Sequence, residues 1–112
     1  MQTIKIKALS VNKVWQGKRF KTQEYKIYEI IALSKLPTLE IPDGKLELKL
    51  EFGFSNSGSD IDNCVKPFLD ILQKKYKFND SRIYRLSVIK TIIKKQEEFI
   101  KFKITKYVPI KK

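Results

Sequence analysis

The chain has 112 residues, with 24 Lys and Arg against 12 Asp and Glu for a formal net charge of +12, no histidine, and one cysteine, Cys64. That length suits a single domain over residues 1–112, and 42% apolar residues with only four Gly and four Pro argue against disorder, while apolar runs broken by lysine suit neither a membrane span nor a secretory segment and point to the cytoplasm. The missing histidine excludes a Ser-His-Asp triad, a Cys-His nucleophile, a histidine general base and a histidine zinc site, and the lone cysteine excludes an intrachain disulfide and a multi-cysteine zinc site.

Residues 3–9 alternate Ile4 and Ile6 with Lys5 and Lys7, the period of a half-buried strand. Residues 10–21 have no clear hydrophobic period and set Lys13, Lys18, Arg19 and Lys21 around Trp15 and Phe20. This mixture reads as a binding loop that contacts phosphates and stacks on sugars or bases; the other reading is that Trp15 and Phe20 anchor the loop to the core. Thr22 then caps a helix that runs to Lys35, with Tyr25, Tyr28, Ile31 and Ala32 on one face and Pro37 as its stop. A turn-rich connector over 37–44 leads into the clearest strand, 45–54, where Leu46, Leu48, Leu50 and Phe52 alternate with Lys45, Glu47, Lys49 and Glu51.

Small polar residues at 55–59 break that pattern and open onto Asp60 and Asp62. Ile61, Val65, Phe68 and Leu72 recur at helical spacing, which predicts a second amphipathic helix over 61–76. Pro67 lacks the amide that would bond to the carbonyl of Asn63, so the first turn of that helix is expected to be kinked or irregular. Residues 83–93 and 99–108 read as two strands joined through the polar turn 94–98 into a hairpin. The order strand, helix, strand, helix, strand, strand gives an α+β fold with two main helices and a mixed or antiparallel sheet.

The excess of positive charge predicts an acidic polymer as partner, with nucleic acid foremost; lysines that only solvate exposed faces are the alternative. Within this basic chain, four of the five aspartates, Asp60, Asp62, Asp70 and Asp80, fall inside 21 residues. Spacing by four places Asp62, Lys66 and Asp70 on one face of the expected helix, and Asp80 follows it in a loop that can fold back. Two or three carboxylates converging there supply hard oxygen ligands that suit Mg²⁺ or Mn²⁺, and a metal-activated water would replace the missing histidine base. Lys66 would stabilise the transition state or protonate the leaving oxygen, and Asn63 would hold the loop by hydrogen bonds. The same residues also admit a structural role, in which Asp60 or Asp62 caps the helix, Lys66 forms i,i+4 pairs and Asp80 sits in an ordinary turn.

The run Asp60-Ile-Asp62-Asn63-Cys-Val-Lys66-Pro67-Phe-Leu-Asp70-Ile-Leu72 resembles the signature of RusA-type Holliday junction resolvases, small DNA endonucleases often encoded by bacteriophages and prophages. Asn79-Asp80-Ser81-Arg82-Ile83 resembles that family's next acidic turn and strand, and Ser10-Val-Asn12-Lys-Val-Trp15 with Lys18-Arg19-Phe20 resembles its basic N-terminal segment. The resemblance implies a Mg²⁺-dependent homodimer that cuts four-way DNA junctions by paired incisions in DNA recombination or repair. It assigns Asp60, Asp62 and Asp80 to metal binding and Lys66 to catalysis; Asp70 also matches the motif and is expected to support the site by orienting Lys66, and Lys13, Trp15, Lys18, Arg19 and Lys21 of the basic segment are the expected DNA contacts. The alternative function is a non-catalytic nucleic-acid-binding module in which the aspartates only cap and brace the helix.

Overall fold

In the computed structural model, which describes residues 1–16 and 20–109, the chain runs through β1 (Gln2–Ile4), a 3₁₀ turn (Val11–Lys13), β2 (Trp15–Gln16) and β3 (Phe20–Lys21) into α1 (Gln23–Lys35). There follow β4 (Leu46–Phe54), α2 (Val65–Tyr76), a second 3₁₀ turn (Asp80–Arg82), β5 (Ile83–Ile92) and β6 (Phe99–Lys106). β1, β6, β4 and β5 form one mixed sheet in that order, and β2 pairs with β3 in a small antiparallel ribbon. The α+β expectation and its element order hold for the main sheet.

β4 lies at the centre because its alternation gives it one wholly apolar face. Leu46, Leu48, Leu50 and Phe52 are all buried, in a core that residues of both α1 and α2 enter. Phe68 of α2 meets Phe52 of β4 edge-on at 6.4 Å between ring centroids, and Phe102 of β6 at 5.8 Å. Truncating such a ring costs about 3–5 kcal/mol through lost burial and the cavity left behind. Glu47, Lys49 and Glu51 occupy the opposite, polar face of β4. There Arg85 pairs with Glu47 at 3.6 Å and the Thr91 hydroxyl donates to Glu51 at 2.7 Å.

α1 forms where its capping residue places it. The Thr22 hydroxyl oxygen accepts from the Tyr25 amide at 3.1 Å, and the helix ends at Lys35, with Leu36 extended ahead of Pro37. Tyr25, Tyr28 and Ala32 are buried as expected, but Ile31 is 39% exposed. A stripe of one residue every three or four drifts across the face, and Ile31 falls at its edge.

Four further expectations change. β1 is shorter than 3–9 because pairing with β6 ends at Ile4. The basic segment is not an open loop but a 3₁₀ turn followed by the β2–β3 ribbon. α2 starts at Val65, so Ile61 stands outside it and is 40% exposed. This start reconciles Pro67 with a regular helix, since a proline in the first turn removes an amide that has no intrahelical partner. Finally, β5 and β6 do not form a hairpin. β5 lies parallel to β4, as a strand returning through a crossover helix must, and β6 lies antiparallel on β4's other edge. Residues 93–98 span two strand spacings, roughly 10 Å, and are tied to the strand they pass by an Ile93 amide bond to the Phe54 carbonyl at 2.7 Å.

Candidate active site

The acidic loop leaves the C-terminal end of β4 and is held from several sides. The Ser55 hydroxyl donates to Glu98 at 2.6 Å, and the Asn56 side-chain oxygen accepts from the Gly58 amide at 2.8 Å, a local turn that small polar residues favour. Lys90 reaches across from β5 to donate to the carbonyls of Ser57, at 2.7 Å, and Ser59. The loop then presents Asp60, whose carboxylate accepts from the Asn63 amide group at 3.0 Å. The Asp62 carboxyl is exposed, while its backbone carbonyl accepts from Val65 at 3.1 Å as α2 begins. Asp62 therefore precedes the helix and does not share a helical face with Lys66 and Asp70.

The start of α2 has no side-chain cap among the described residues, and the cap position itself belongs to Cys64. Neither Asp60 nor Asp62 caps the helix, so the structural explanation of these two acids by capping does not hold. Burial pushes the Cys64 thiol up to about 11, which leaves it protonated and unsuited to act as a nucleophile at neutral pH.

Lys66 extends from the first turn of α2 to Asp70 at 2.9 Å and to Asp80 at 3.6 Å. The Asp70 hydrogen bond is the main reason that its ammonium pKa lies above the ordinary lysine value; partial burial opposes this, and the charges of Asp70 and Asp80 reinforce it. Asp80 gets there because Lys77 adopts the left-handed conformation (φ 59°) at the end of α2 and reverses the chain. Its turn is fastened by Asn79, which accepts from the Ser81 amide at 2.8 Å, and by Arg82, which donates to the carbonyls of Gly44, at 2.9 Å, and Pro42.

The fold thus brings Lys66, Asp70 and Asp80 together, and separately joins Asp60 to Asn63. Among the described residues no three of His, Cys, Asp and Glu stand close enough to hold a metal ion. Asp60 and Asn63 face a cleft of about 450 Å³ whose other walls include Ser10 and Lys13 from the basic segment and Glu98 from the β5–β6 connection. Lys13 is therefore brought beside the acidic loop. Lys21 stacks over Tyr25 at 4.4 Å; Lys18, Arg19 and the side chain of Trp15 lie outside the described residues.

Sequence reasoning missed Lys90, Gln73 and Glu98. Lys90 gave no signal because it is one lysine among many on an alternating strand, and Gln73 because a polar residue late in a helix ordinarily faces solvent. Glu98 gave none because the sequence around it shows only a polar turn.

The family model Endodeoxyribonuclease RusA matches residues 7–105 of the chain. No curated protein matches it.

Proposed function

The chain belongs to the RusA endodeoxyribonuclease family, and on that premise we propose that it is a Mg²⁺-dependent resolvase that cuts four-way DNA junctions by paired phosphodiester hydrolysis in recombination or repair. The observation that best supports this reading is the position of Lys66, a protonated amine held between Asp70 and Asp80 one turn from the acidic loop.

Asp60, Asp62 and Asp80, which the family motif assigns to the metal, would hold the ion once drawn together by it, since no three acids among the described residues now stand close enough to do so. Their chemistry fits Mg²⁺ or Mn²⁺, since all three offer only hard carboxylate oxygens. At such a set a divalent ion supplies Lewis-acid stabilisation of the phosphodiester and activation of water. Lys66, with its pKa raised, keeps its charge at neutral pH and supplies fixed positive charge where the transition state gains negative charge. Asp70 orients Lys66 through the 2.9 Å ion pair, and Asn63 holds Asp60. The basic segment, with Lys13 on the cleft wall and Lys21 beside α1, draws the DNA backbone toward these acids.

A junction has near-twofold symmetry and two strands to cut, whereas one chain carries one acidic set, so two copies would act as a homodimer. No helix among the described residues is long and apolar enough to cross a membrane.

The test is incubation with a labelled synthetic four-way junction and Mg²⁺. Symmetric nicks are expected, and Asp62→Asn should abolish them while leaving junction binding intact or stronger, because it removes a metal ligand and a negative charge near phosphate. Tight, salt-sensitive binding without metal-dependent cleavage would instead identify a non-catalytic nucleic-acid-binding module.

A further inference from the structure

Gln73 lies on the same stripe of α2 as Lys66 and Asp70, at spacings of seven and three residues. Its side-chain oxygen accepts from the Asp80 backbone amide at 2.8 Å. The side-chain nitrogen donates to Asp70 at 3.4 Å and to the Leu69 carbonyl at 3.4 Å. A backbone amide can only donate, so the carboxamide oxygen must face Asp80 and the NH₂ group must face Asp70. One side chain therefore contacts both of the residues that pair with Lys66.

The backbone of the same residue serves the same end. The Gln73 carbonyl accepts from the Lys77 amide at 2.9 Å, and this bond closes the left-handed turn that sends the chain back toward α2. Gln73 thus closes the end of the helix through its main chain and joins the helix to the Asp80 turn through its side chain. Glutamine suits the position because it offers an acceptor and a donor on one rigid group; methionine, of similar length, offers neither bond in comparable strength, and glutamate offers only the acceptor.

Resting on the functional reading above, we infer that Gln73 is a positioning residue of the nuclease site: it holds the Asp80 turn against α2 and so sets the distance of the Asp80 carboxylate from Lys66. It touches no substrate atom. Its effect runs through the placement of a carboxylate and an ammonium, and displacement of a catalytic group by about 1 Å can cost roughly a hundredfold in rate.

The experiment compares wild type, Gln73→Met and Gln73→Glu by single-turnover cleavage of the labelled junction in Mg²⁺, junction affinity in EDTA, melting temperature, and hydrogen exchange of the Asp80 amide by NMR. Gln73→Met should slow cleavage at least tenfold and speed Asp80 amide exchange at least tenfold, with affinity within about twofold of wild type and the melting temperature nearly unchanged. Gln73→Glu, which keeps the acceptor but sets a carboxylate oxygen against Asp70, should restore amide protection and recover only part of the cleavage rate.

Wild-type cleavage by Gln73→Met overturns the proposal, as does a loss of rate that merely tracks loss of affinity and melting temperature. If the wild-type protein cuts no junction, the functional reading fails by itself, and the catalytic sense of the proposal fails with it. Amide exchange then still decides whether Gln73 holds the turn: unchanged exchange in Gln73→Met shows that it does not.

Discussion

The Val11 amide donates to the Asn63 carbonyl at 2.7 Å, just ahead of the Cys64 cap position of α2. Asn63 lies outside the helix, so its carbonyl has no helical amide to serve, and the basic N-terminal segment docks on it beside the acidic loop. Val11 opens a 3₁₀ turn and follows an extended Ser10, a setting that tolerates proline in its backbone angles. Val11→Pro should therefore remove this one bond with little other strain. The expected cost is about 1 kcal/mol or less, with faster amide exchange in the N-terminal segment and weaker junction binding, read by NMR and fluorescence anisotropy. Unchanged affinity would separate the docking of this segment from DNA capture.

Lys66 retains its proton to higher pH than an ordinary lysine, because the charged form is the one bonded to Asp70. Any stability this adds is present below the unfolded-state value, about 10.4, and is lost as pH rises through the folded one; it is small because the side chain is 58% exposed. The larger consequence is kinetic. The cleavage rate should show no alkaline decline due to Lys66 below roughly pH 10. Lys66→Arg should keep part of the activity, and Lys66→Met should lose at least a hundredfold. A wild-type decline centred near pH 8 that is absent from Lys66→Arg would contradict this.

Glu29 of α1 and Lys74 of α2 form an ion pair at 2.8 Å. Burial opposes ionisation of Glu29, but bonds from Lys74 and the Tyr25 hydroxyl outweigh it and hold the carboxyl below its ordinary range. The contribution is thus fully present above the unfolded-state pKa, about 4.3, and disappears as pH falls through the lower folded value. Glu29→Gln should destabilise by about 0.5–1 kcal/mol at pH 7. Its melting temperature should converge with wild type in strong acid; a gap that persists below pH 3 would mean the loss is one of packing.

Gly53 sits in β4 directly opposite Phe99 of β6, where a Cβ atom would stand 2.4 Å from the ring. The missing side chain lets the ring lie flat on the strand. Gly53→Ala should cost about 1–3 kcal/mol through overpacking, despite the better strand propensity of alanine. Adding Phe99→Leu should recover part of the loss, so thermal melts of the two single variants and the double variant should show a clear coupling.

Much of the architecture was legible in the sequence wherever the cause is local. The β4 alternation, the Thr22 cap, the helix end ahead of Pro37 and the turn after Phe54 each follow from the preferences of a few neighbouring residues, and the run from Asp60 to Leu72 carries a resemblance to the family whose model matches residues 7–105. The pairing of β5 and β6 was not legible, because alternation states which face a strand buries and not which strand lies beside it. The start of α2 was misplaced for a related reason: Ile61 keeps the helical period, but the Asn63 carbonyl bonds to Val11, fifty-two residues earlier in the chain.

The sequence by itself determined the chemical inventory: carboxylates, lysines and no histidine, in a strongly basic chain. Only the tertiary structure decided how that inventory is divided. It sets Lys66 between Asp70 and Asp80, joins Asp60 to Asn63 in a loop held by Lys90, and leaves Asp62 exposed ahead of the helix. These groupings depend on a left-handed turn at Lys77 and on bonds between segments far apart in the chain, and helical or strand periodicity carries no information about either.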